Sequence, residues 1–527
     1  MIKAIQVRTS TYSGYFQSFV DCLFILPIIN VCTNKMQHIF IVGGEILHRK
    51  RLVLVVVITM FVAIAGIAIY KGKKEEEAKQ QEQLSVTVLD EAKSLIQDNT
   101  IFDVTNEQLI EGALKGMAEA IKDPYSTYYS SNEAVLQKQS LAAERVGIGI
   151  EVMEMDGKVV IVSALKNSPA EAAGIQSYDE IVQVDQKAVQ GITMQELLLL
   201  LQGKEGEPVN LVVFRPSSDR HLTYTLNREK LTNETIKHQI LKDHDYTFGY
   251  VELSIFGEST ALQWIDTINK IKKANVQGLI IDLRDNPGGY LHAAAQLLST
   301  FQEEPRTFTY LENSKGEMEP INTAKLEGTE DIQKFLRSIP ITILINNGSA
   351  SASEVLASAL SSWEYATLIG EKSFGKGTVQ ETWSLTNGGE LKLTTHKWLT
   401  INREWIHRKG LEPAIETTAH PLRKITPKII SKSYKEGDFS EDISYVQTVL
   451  KGLGYTISRE DGYFDQSTAK AVAQYRKKHS LIGGQEMEGG LYQALQKDLE
   501  EAKQKLQNDP QIEMSISYLI HQLAPGT

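Results

Sequence analysis

The chain has 527 residues, a length that at ~100 to 200 residues per domain predicts three or four domains. Hydrophobic residues make up 42% and charged residues 23%, proportions that exclude a mainly disordered, fibrous or multi-span membrane protein. The formal net charge of −11 argues against a nucleic-acid partner, because general nucleic-acid binding needs a basic surface.

The cysteine and histidine content limits the kinds of metal site, disulfide and catalytic group that the protein can contain. Cys22 and Cys32 are the only cysteines, too few for a disulfide framework or a four-cysteine zinc site. The eleven histidines are scattered singly and no His-Glu-x-x-His run exists. We therefore expect no catalytic metal and no cofactor, which leaves hydroxyl, amine and carboxylate groups to carry any reaction.

An apolar run near the N-terminus predicts a membrane anchor. Leu52–Tyr70 contains no charged residue, and ~20 apolar residues suffice for a helix to cross the hydrocarbon. Basic residues precede the run, which favours a cytoplasmic extension over residues 1–51, an anchor over 52–70 and an extracytoplasmic remainder. The alternatives are a buried core helix and a cleaved signal peptide, although the small residues at 63–65 lie inside the run rather than after it.

A helical region is predicted over residues 71–140. Residues 71–83 are rich in Lys, Glu and Gln, a composition typical of a solvated linker or helix start. Leu84–Ile96 and Glu107–Ile121 then carry apolar residues at helical spacing, and Asp123-Pro124 ends the second run.

Short alternating strands and two short helices over residues 141–226 predict a small barrel. The stretch GIGI and the later SPAEAAGI make this region resemble a PDZ domain. The resemblance implies that the GIGI loop binds a peptide carboxylate, since consecutive N–H groups in a Gly-rich loop form an anion nest. The alternative is a structural barrel without a ligand. The predicted peptide-binding residues are Gly147, Ile148, Gly149 and Ile150.

Residues 227–425 follow a strand and helix alternation. A strand pattern at Gly249–Phe256 precedes a helix at Thr260–Lys273, and the apolar runs 279–281 and 341–345 suit strands buried on both faces. This order predicts right-handed crossovers in a layered α/β core.

A serine-rich turn follows the strand that ends at Ile345. Small residues between a strand and a helix permit a sharp turn, and the N–H groups of a helix N-terminus can stabilise an oxyanion. Ser351 is the candidate nucleophile, but Ser351 and Glu354 also fit a capping box. Ser349 and Ser353 flank it, and spacing alone does not choose among the three serines.

Lys376 stands between two glycines, an unusual place for a merely solvating charge, and Gln380 follows four residues later. A desolvated lysine can deprotonate a serine, and residues four apart share one face of a helix or a strand, so Gln380 is a candidate to orient the amine. A Ser-His-Asp triad through His396 or His407 is an alternative that no motif supports.

Together, DPYSTY, DLRDNPGG, SASASE and FGKGTVQ resemble the carboxyl-terminal processing peptidases, serine proteases that contain a PDZ domain. The resemblance implies Ser351 as nucleophile, Lys376 as general base and Gln380 as its orienting partner. It also implies an oxyanion hole from Ala352 and one glycine, and a residue that couples peptide binding to the active site. The residues so implied are Ala352, Gly288 or Gly289, and Arg215.

Residues 434–500 resemble a three-helix peptidoglycan-binding domain, with a turn at Asp461-Gly462 and apolar residues that could form a small core. The alternative is that this module packs against the protease or mediates a homodimer. Residues 501–527 are predicted to be a charged tail.

These features predict a multidomain protein of α/β and α+β folds: one N-terminal transmembrane helix, a PDZ barrel, a layered α/β serine-protease core and a small three-helix domain. The predicted function is a membrane-anchored extracytoplasmic endopeptidase that binds the C-terminal tails of protein substrates. The alternatives are a scaffold that binds tails and cell wall without cleavage, and a glycan-active enzyme, which needs paired carboxylates that no motif supplies.

Overall fold

The computed structural model describes residues 45–504 and 509–524, except 156, 166, 217, 429 and 431. Side chains are described over the same range except at 45–57, 61, 62, 75–86, 155 and 504. The expectations for both cysteines and for most of the N-terminal extension therefore lie outside the described residues.

The chain divides into two compact units at Leu109. The first unit contains helix α1, Glu45–Asn99, which includes the run predicted to be a membrane anchor. Within the part of the chain that the structure describes, no helix combines the length and apolarity needed to span a membrane. The prediction of a transmembrane helix at 52–70 is therefore not supported.

Helix α2, a short strand β1 and helix α3 follow along the chain. Ser130 caps α3 by accepting from the Glu133 N–H, and the Glu133 carboxylate accepts the Ser130 N–H at 2.7 Å, which satisfies two otherwise unpaired donors. The bounds are α2 Asn106–Glu119, β1 Thr127–Tyr129 and α3 Ser131–Leu141.

A barrel of short strands occupies the predicted PDZ region. Its six-stranded sheet has the order β3-β4-β5-β7-β8 with β6 beside β5, while β2 pairs with β9, so β3 is an edge strand. The apolar residues of the strands and helix α5 form a separate buried core. The bounds are β2 Glu144–Gly147, β3 Ile150–Met155, β4 Lys158–Ala164, α4 Pro169–Ala172, β5 Glu180–Val184, β6 Lys187–Ala188, α5 Met194–Leu201, β7 Pro208–Arg215, β8 Arg220–Asn227 and β9 Glu229–Thr232.

The central sheet of the second unit has the order β10-β11-β12-β15-β16-β19, and neighbouring strands from β11 onward are parallel. Helices α6 to α9 cover the face to which Leu279 and Ile281 point. The bounds are β10 Ile236–Asp243, β11 Tyr246–Leu253, α6 Thr260–Lys273, β12 Gly278–Asp282, α7 Leu291–Ser299, α8 Glu330–Ser338, β15 Ile341–Ile345, α9 Ala352–Ser362, β16 Thr367–Gly370 and β19 Ile415–Glu416.

A second sheet of five strands lies beside this core. Its order is β1-β18-β13-β14, with β17 paired to β18, so the N-terminal strand β1 belongs to the same sheet as strands from the protease region. The bounds are β13 Thr307–Asn313, β14 Met318–Asn322, β17 Thr378–Ser384 and β18 Glu390–Leu399.

Beyond a short 3₁₀ helix at Pro421–Lys424, three helices enclose a core of their own, as predicted for the C-terminal module. Asp465 caps the second helix through its carboxylate, which accepts the Thr468 N–H at 2.8 Å. The bounds are α10 Glu441–Gly452, α11 Gln466–Lys478 and α12 Gly490–Gln504.

The expectation of a charged tail over residues 501–527 is wrong for its main part. Helix α13, Pro510–Leu523, places apolar side chains at helical spacing on the second face of the central sheet, opposite helices α6 to α9. The charges at residues 500–507 do not continue into this segment, whose periodicity is that of a core helix. The residues that meet at this face are Phe248, Tyr250, Ile280, Leu344, Ile369, Ile512 and Leu519.

Candidate active site

The site begins where two neighbouring parallel strands end. Strand β12 leads into the turn at residues 284–289 and β15 leads into the turn that precedes α9, so both turns emerge at the same edge of the sheet. Clefts at this edge are the usual position of active sites in parallel sheets.

The three serines of the second turn have different environments. Ser349 is buried and donates its hydroxyl to the Leu283 carbonyl at 2.7 Å, and Ser353 is buried and donates to the Asn286 carbonyl at 2.9 Å. Ser351 is half-buried and has φ 56° and ψ −116°, a strained conformation for a residue other than glycine. Of the three, Ser349 and Ser353 thus serve the turn, while Ser351 is the accessible one.

The turn at residues 284–289 fits closely against Ser351. A Cβ atom added at Gly288 would lie 2.8 Å from the Ser351 Cβ and 2.9 Å from the Ala352 nitrogen, so no other residue fits there without a shift. Asn286 holds the two turns together, because its carbonyl accepts from the Ala350 N–H at 3.0 Å and its side chain accepts from the Gly288 N–H at 2.9 Å.

This arrangement separates the two glycines that were expected as alternatives. The Gly288 N–H donates to the Asn286 side chain. Gly289 lies opposite Phe256 in a parallel bridge, in which the Phe256 N–H donates to the Gly288 carbonyl and the Phe256 carbonyl accepts from the Tyr290 N–H. The Gly289 N–H therefore points away from Phe256. Of these two described glycines, Gly288 is therefore the one whose N–H is bound within its own turn.

Glu354 connects the turn that carries Ser351 to the loop that carries Lys376. One of its carboxylate oxygens accepts from the Ser351 N–H and from the Lys376 N–H, each at 2.9 Å. The other accepts from the Ser373 hydroxyl at 2.6 Å and from the Gly375 N–H at 2.7 Å. Burial raises the pKa of Glu354, while these four donors favour its ionised form. Sequence reasoning treated Glu354 only as a helix cap.

Lys376 is half-buried, and its Nζ lies 4.8 Å from the centre of the Tyr125 ring. Burial, and next the positive charge of Lys392, lower the pKa of Lys376 to about 8, while Asp123 and Glu354 act in the opposite direction. A large fraction of this amine is thus uncharged at mildly alkaline pH. Tyr125 belongs to the DPYSTY motif, but nothing in the sequence indicated that its ring would meet the lysine.

The glycines on both sides of Lys376 have a steric cause. A Cβ atom at Gly375 would lie 2.7 Å from the Gly410 nitrogen, and one at Gly377 would lie 2.8 Å from the His407 nitrogen. The loop at residues 405–410 therefore packs directly on the backbone that carries the lysine, and the Trp405 indole donates to the Gly377 carbonyl at 2.7 Å.

The structure gives Gln380 partners other than the amine. Its Nε2 donates to the Thr378 hydroxyl at 2.9 Å and to the Thr394 hydroxyl at 3.1 Å. The register of β17 against β18 shifts between Val379 and Gln380. Lys376 precedes β17, and such a bulge redirects the side chains that follow it, so the regular four-residue spacing does not apply between Lys376 and Gln380.

Both histidines of the alternative triad contact neighbouring residues, and the Gly377 N–H donates to the His407 Nδ1 at 3.4 Å. His396 contacts the Thr395 hydroxyl at 2.8 Å and lies 3.5 Å from the Glu381 carboxylate. The His407 ring stacks on Trp405 with 5.0 Å between ring centres. These contacts place both side chains in roles that support the surrounding structure.

A buried ionic network lies at the end of β12, where the turn at residues 284–289 begins. Arg284 donates to both oxygens of Asp282, to Asp509 at 2.8 Å and to Gln511 at 2.7 Å. Although burial alone would raise it, the charge and hydrogen bonds of Arg284 lower the pKa of Asp282. The start of α13 is thereby tied to the end of β12, directly before the turn that carries Gly289. Sequence reasoning missed this link.

The residues predicted to bind the peptide lie between strands β2 and β3. Gly147 ends β2, Ile148 is buried and Ile150 opens β3. Gly149 has φ 79°, and a Cβ there would lie 2.2 Å from the Ser168 Cβ, so this position requires glycine.

Arg215, expected to couple peptide binding to the active site, hydrogen-bonds within the barrel. It donates to both oxygens of Asp179, at 2.7 and 2.6 Å, to the Gly174 carbonyl at 3.1 Å and to the Tyr224 hydroxyl at 3.1 Å. Asp179 is buried, so this ion pair is an internal support of the PDZ barrel.

Comparison with known protein families gives four matches along the chain. Residues 247–417 match peptidase family S41, residues 60–133 match the N-terminal domain of the activating protease CtpB, residues 146–226 match the PDZ domain, and residues 439–482 match a peptidoglycan-binding domain. Along the chain, these four matched regions have the same order as the regions predicted from the sequence.

Two relatives from Bacillus subtilis are similar over most of the chain. The carboxy-terminal processing protease CtpB is 32% identical over 84% of this chain and 91% of its own. The carboxy-terminal processing protease CtpA is 32% identical over 90% of this chain and 99% of its own. Among solved structures, the photosystem II D1 C-terminal processing protease is 25% identical over 61% of this chain and 85% of its own, with a TM-score of 0.38.

Proposed function

Because the chain belongs to the carboxy-terminal processing proteases of peptidase family S41, we propose that it cleaves peptide bonds with Ser351 as nucleophile and Lys376 as general base. One observation carries this assignment. The buried carboxylate of Glu354 binds the main-chain N–H groups of both residues, so a single group fixes the nucleophile turn against the lysine loop.

The reaction proceeds in two halves. Uncharged Lys376 takes the proton of the Ser351 hydroxyl as Oγ attacks the substrate carbonyl carbon, and the negative oxygen that forms is held by the Ala352 and Gly289 N–H groups. Collapse breaks the C–N bond, and the proton passes from Lys376 to the leaving amine. Water, deprotonated by Lys376, then attacks the acyl-enzyme and releases Ser351 with its proton.

Gln380 has an indirect part in this scheme. Its bonds to Thr378 and Thr394 hold β17 against β18 next to the lysine loop. Both of these bonds use Nε2, so a direct bond from the Lys376 amine to Gln380, which the resemblance implied, would use the Oε1 atom as acceptor.

In this proposal the PDZ barrel binds the C-terminal tail of the substrate. Strand β3 is at the edge of its sheet, so its outer N–H and C=O groups can pair with an added peptide strand. The loop Gly147–Ile150 stands at the start of this edge, where the N–H groups of a glycine loop suit a terminal carboxylate. We infer that the preferred substrates are proteins with an unstructured C-terminal tail.

The C-terminal module places the protease at the cell wall in this proposal. The match of residues 439–482 to a peptidoglycan-binding domain supports peptidoglycan as its partner and a catalytic part outside the cytoplasm. Cosedimentation of the full chain with isolated peptidoglycan sacculi tests the partner. Recovery of the protein only in the supernatant would contradict it.

The proposed chemistry is tested with a folded reporter that carries an unstructured apolar C-terminal tail. The wild type is expected to cleave within the tail, and Ser351→Ala and Lys376→Ala are each expected to lower the rate by roughly 10⁴-fold or more. Mass spectrometry of the fragments gives the cut position. Lys372→Ala is the matched control, because Lys372 is an exposed lysine of the same loop that pairs with Glu412. A Lys376→Ala variant with normal turnover would refute the dyad, and tail binding without cleavage by the wild type would favour a scaffold.

A further inference from the structure

Two aromatic side chains lie next to each other on the surface of the C-terminal module. Phe439 precedes helix α10 and Tyr463 precedes helix α11, and the two residues stand opposite each other in an antiparallel bridge. The hydrogen bonds of this bridge join the residues on either side of the pair. In such a pair both side chains project from the same face, and their backbones approach more closely than in a hydrogen-bonded pair.

Neither ring belongs to the core of the module. Phe439 is 72% exposed and Tyr463 is 38% exposed, whereas the next residue, Phe464, is fully buried in that core. Single exposed apolar residues are common on protein surfaces, but adjacent ones form a patch of the kind that marks a binding site. The two rings therefore indicate a surface that a ligand covers.

An ion pair borders the two rings. The Arg459 guanidinium lies 4.7 Å from the centre of the Tyr463 ring and donates to both carboxylate oxygens of Asp461, from Nε at 2.6 Å. The Asp461 carboxylate also accepts from the Tyr463 N–H at 3.4 Å. These contacts hold the guanidinium against the ring and place planar polar groups at the edge of the patch.

Aromatic rings beside planar hydrogen-bonding groups suit a sugar. A pyranose ring presents C–H groups that pack on an aromatic face, while its hydroxyl groups bond to guanidinium and carboxylate groups. The local charges favour an uncharged ligand over an anionic polymer, because Arg459 is neutralised by Asp461. Two further carboxylates, of Asp438 and Asp465, stand near the rings in the sequence.

We propose that Phe439, Tyr463 and Arg459 form the site at which the C-terminal module binds the glycan strand of peptidoglycan, with the two rings stacked on sugar residues. The inference rests on the proposed peptidoglycan partner, and it adds which surface binds and which part of the polymer is bound. The residues that match a peptidoglycan-binding domain, 439–482, include all three.

The first experiment measures cosedimentation of the full chain over a range of concentrations of isolated sacculi. Phe439→Ala and Tyr463→Ala should each weaken binding by roughly 10-fold, because each removes one ring, and the double variant by roughly 100-fold. Phe439→Tyr should bind as the wild type does. Phe439→Leu, which keeps an apolar side chain without a ring, should bind as weakly as Phe439→Ala. Ile482→Ala is the control, because Ile482 is 96% exposed but follows the other end of α11.

This design separates two kinds of failure. A wild type that stays in the supernatant contradicts the peptidoglycan partner and this site together. A wild type that binds, with ring variants that bind equally well, contradicts the site alone. Since both rings are exposed, the urea denaturation curves of the variants should match that of the wild type, which verifies that a loss of binding is not a loss of folding.

The second experiment distinguishes the possible occupants of the patch. Glycan strands freed of their peptides by an amidase should release the wild type from sacculi, whereas isolated stem peptides should not. Release by the stem peptides alone would overturn the proposal. Sedimentation velocity without sacculi tests a second copy of the chain as occupant, and a dimer that Phe439→Ala dissociates would also overturn the proposal.

Discussion

The side of the site that carries the proposed nucleophile, Ser351, and the side that carries the proposed base, Lys376, are built differently. On the nucleophile side, Ser351 is held by main-chain bonds, by the carbonyl of Asn286 through its neighbours and by a buried network around Arg284. On the base side, Lys376 has its main chain fixed by Glu354, but its amine lies against the Tyr125 ring. The first side is organised by directional bonds and the second by the balance of charges.

Substitutions on the two sides should therefore have different effects. Hydrogen bonds to buried charged groups are short-ranged and costly to break, so a substitution on the nucleophile side should reduce stability or turnover at every pH. Charge balance changes a protonation equilibrium, so a substitution on the base side should move a pH profile.

Removal of the Asp509 carboxylate tests the network beneath the nucleophile side. Asp509→Ala leaves the fully buried Arg284 without one of its two carboxylate partners and also removes a helix cap of α13. We expect a loss of about 3 to 5 kcal/mol in the free energy of unfolding, measured by urea denaturation. Asp509→Asn keeps the cap and should lose less. Glu513→Ala, at an exposed position of the same helix, is the control, and a loss below about 1 kcal/mol for Asp509→Ala would contradict the buried network.

Replacement of Glu354 tests the junction of the two sides. In Glu354→Gln one carboxylate oxygen becomes an amide nitrogen, which cannot accept the hydrogen bonds now made there. We expect kcat to fall by about 100-fold, because two charge-assisted hydrogen bonds are lost, while KM changes little since the tail is bound elsewhere. Steady-state kinetics on the tailed reporter measures both, with the exposed Glu327→Gln as control. A rise in KM at constant kcat would instead place Glu354 in substrate binding.

The parts of both sides whose residues are close together along the chain could be predicted from the sequence. Small residues between a buried strand and a helix identify a sharp turn, and the two glycines around Lys376 mark a close backbone approach. The layered core follows from apolar runs of the length of buried strands.

The remaining parts depend on contacts between distant residues. Arg284 and Asp509 are 225 residues apart, and Tyr125 meets Lys376 only because β1 joins the sheet of β18. Helix α13 was missed because the charged residues before it were extended to the chain end, although Ile512, Ile516 and Leu519 have helical spacing. The role of Gln380 stays a prediction, because the four-residue rule assumes regular structure and the register of β17 shifts between Val379 and Gln380.

The pH dependence of the wild type tests the base side. If Lys376 must be uncharged to accept the Ser351 proton, kcat/KM should rise with pH, with an acid limb whose midpoint is near the lowered pKa of Lys376, about 8. Below that midpoint the rate should fall about tenfold per pH unit, so that roughly one tenth of the plateau remains at pH 7. Initial cleavage rates between pH 6 and 9.5 measure this limb. Burial lowers the pKa of His407 below its usual range, so a limb centred below pH 7 would indicate a histidine base in place of Lys376.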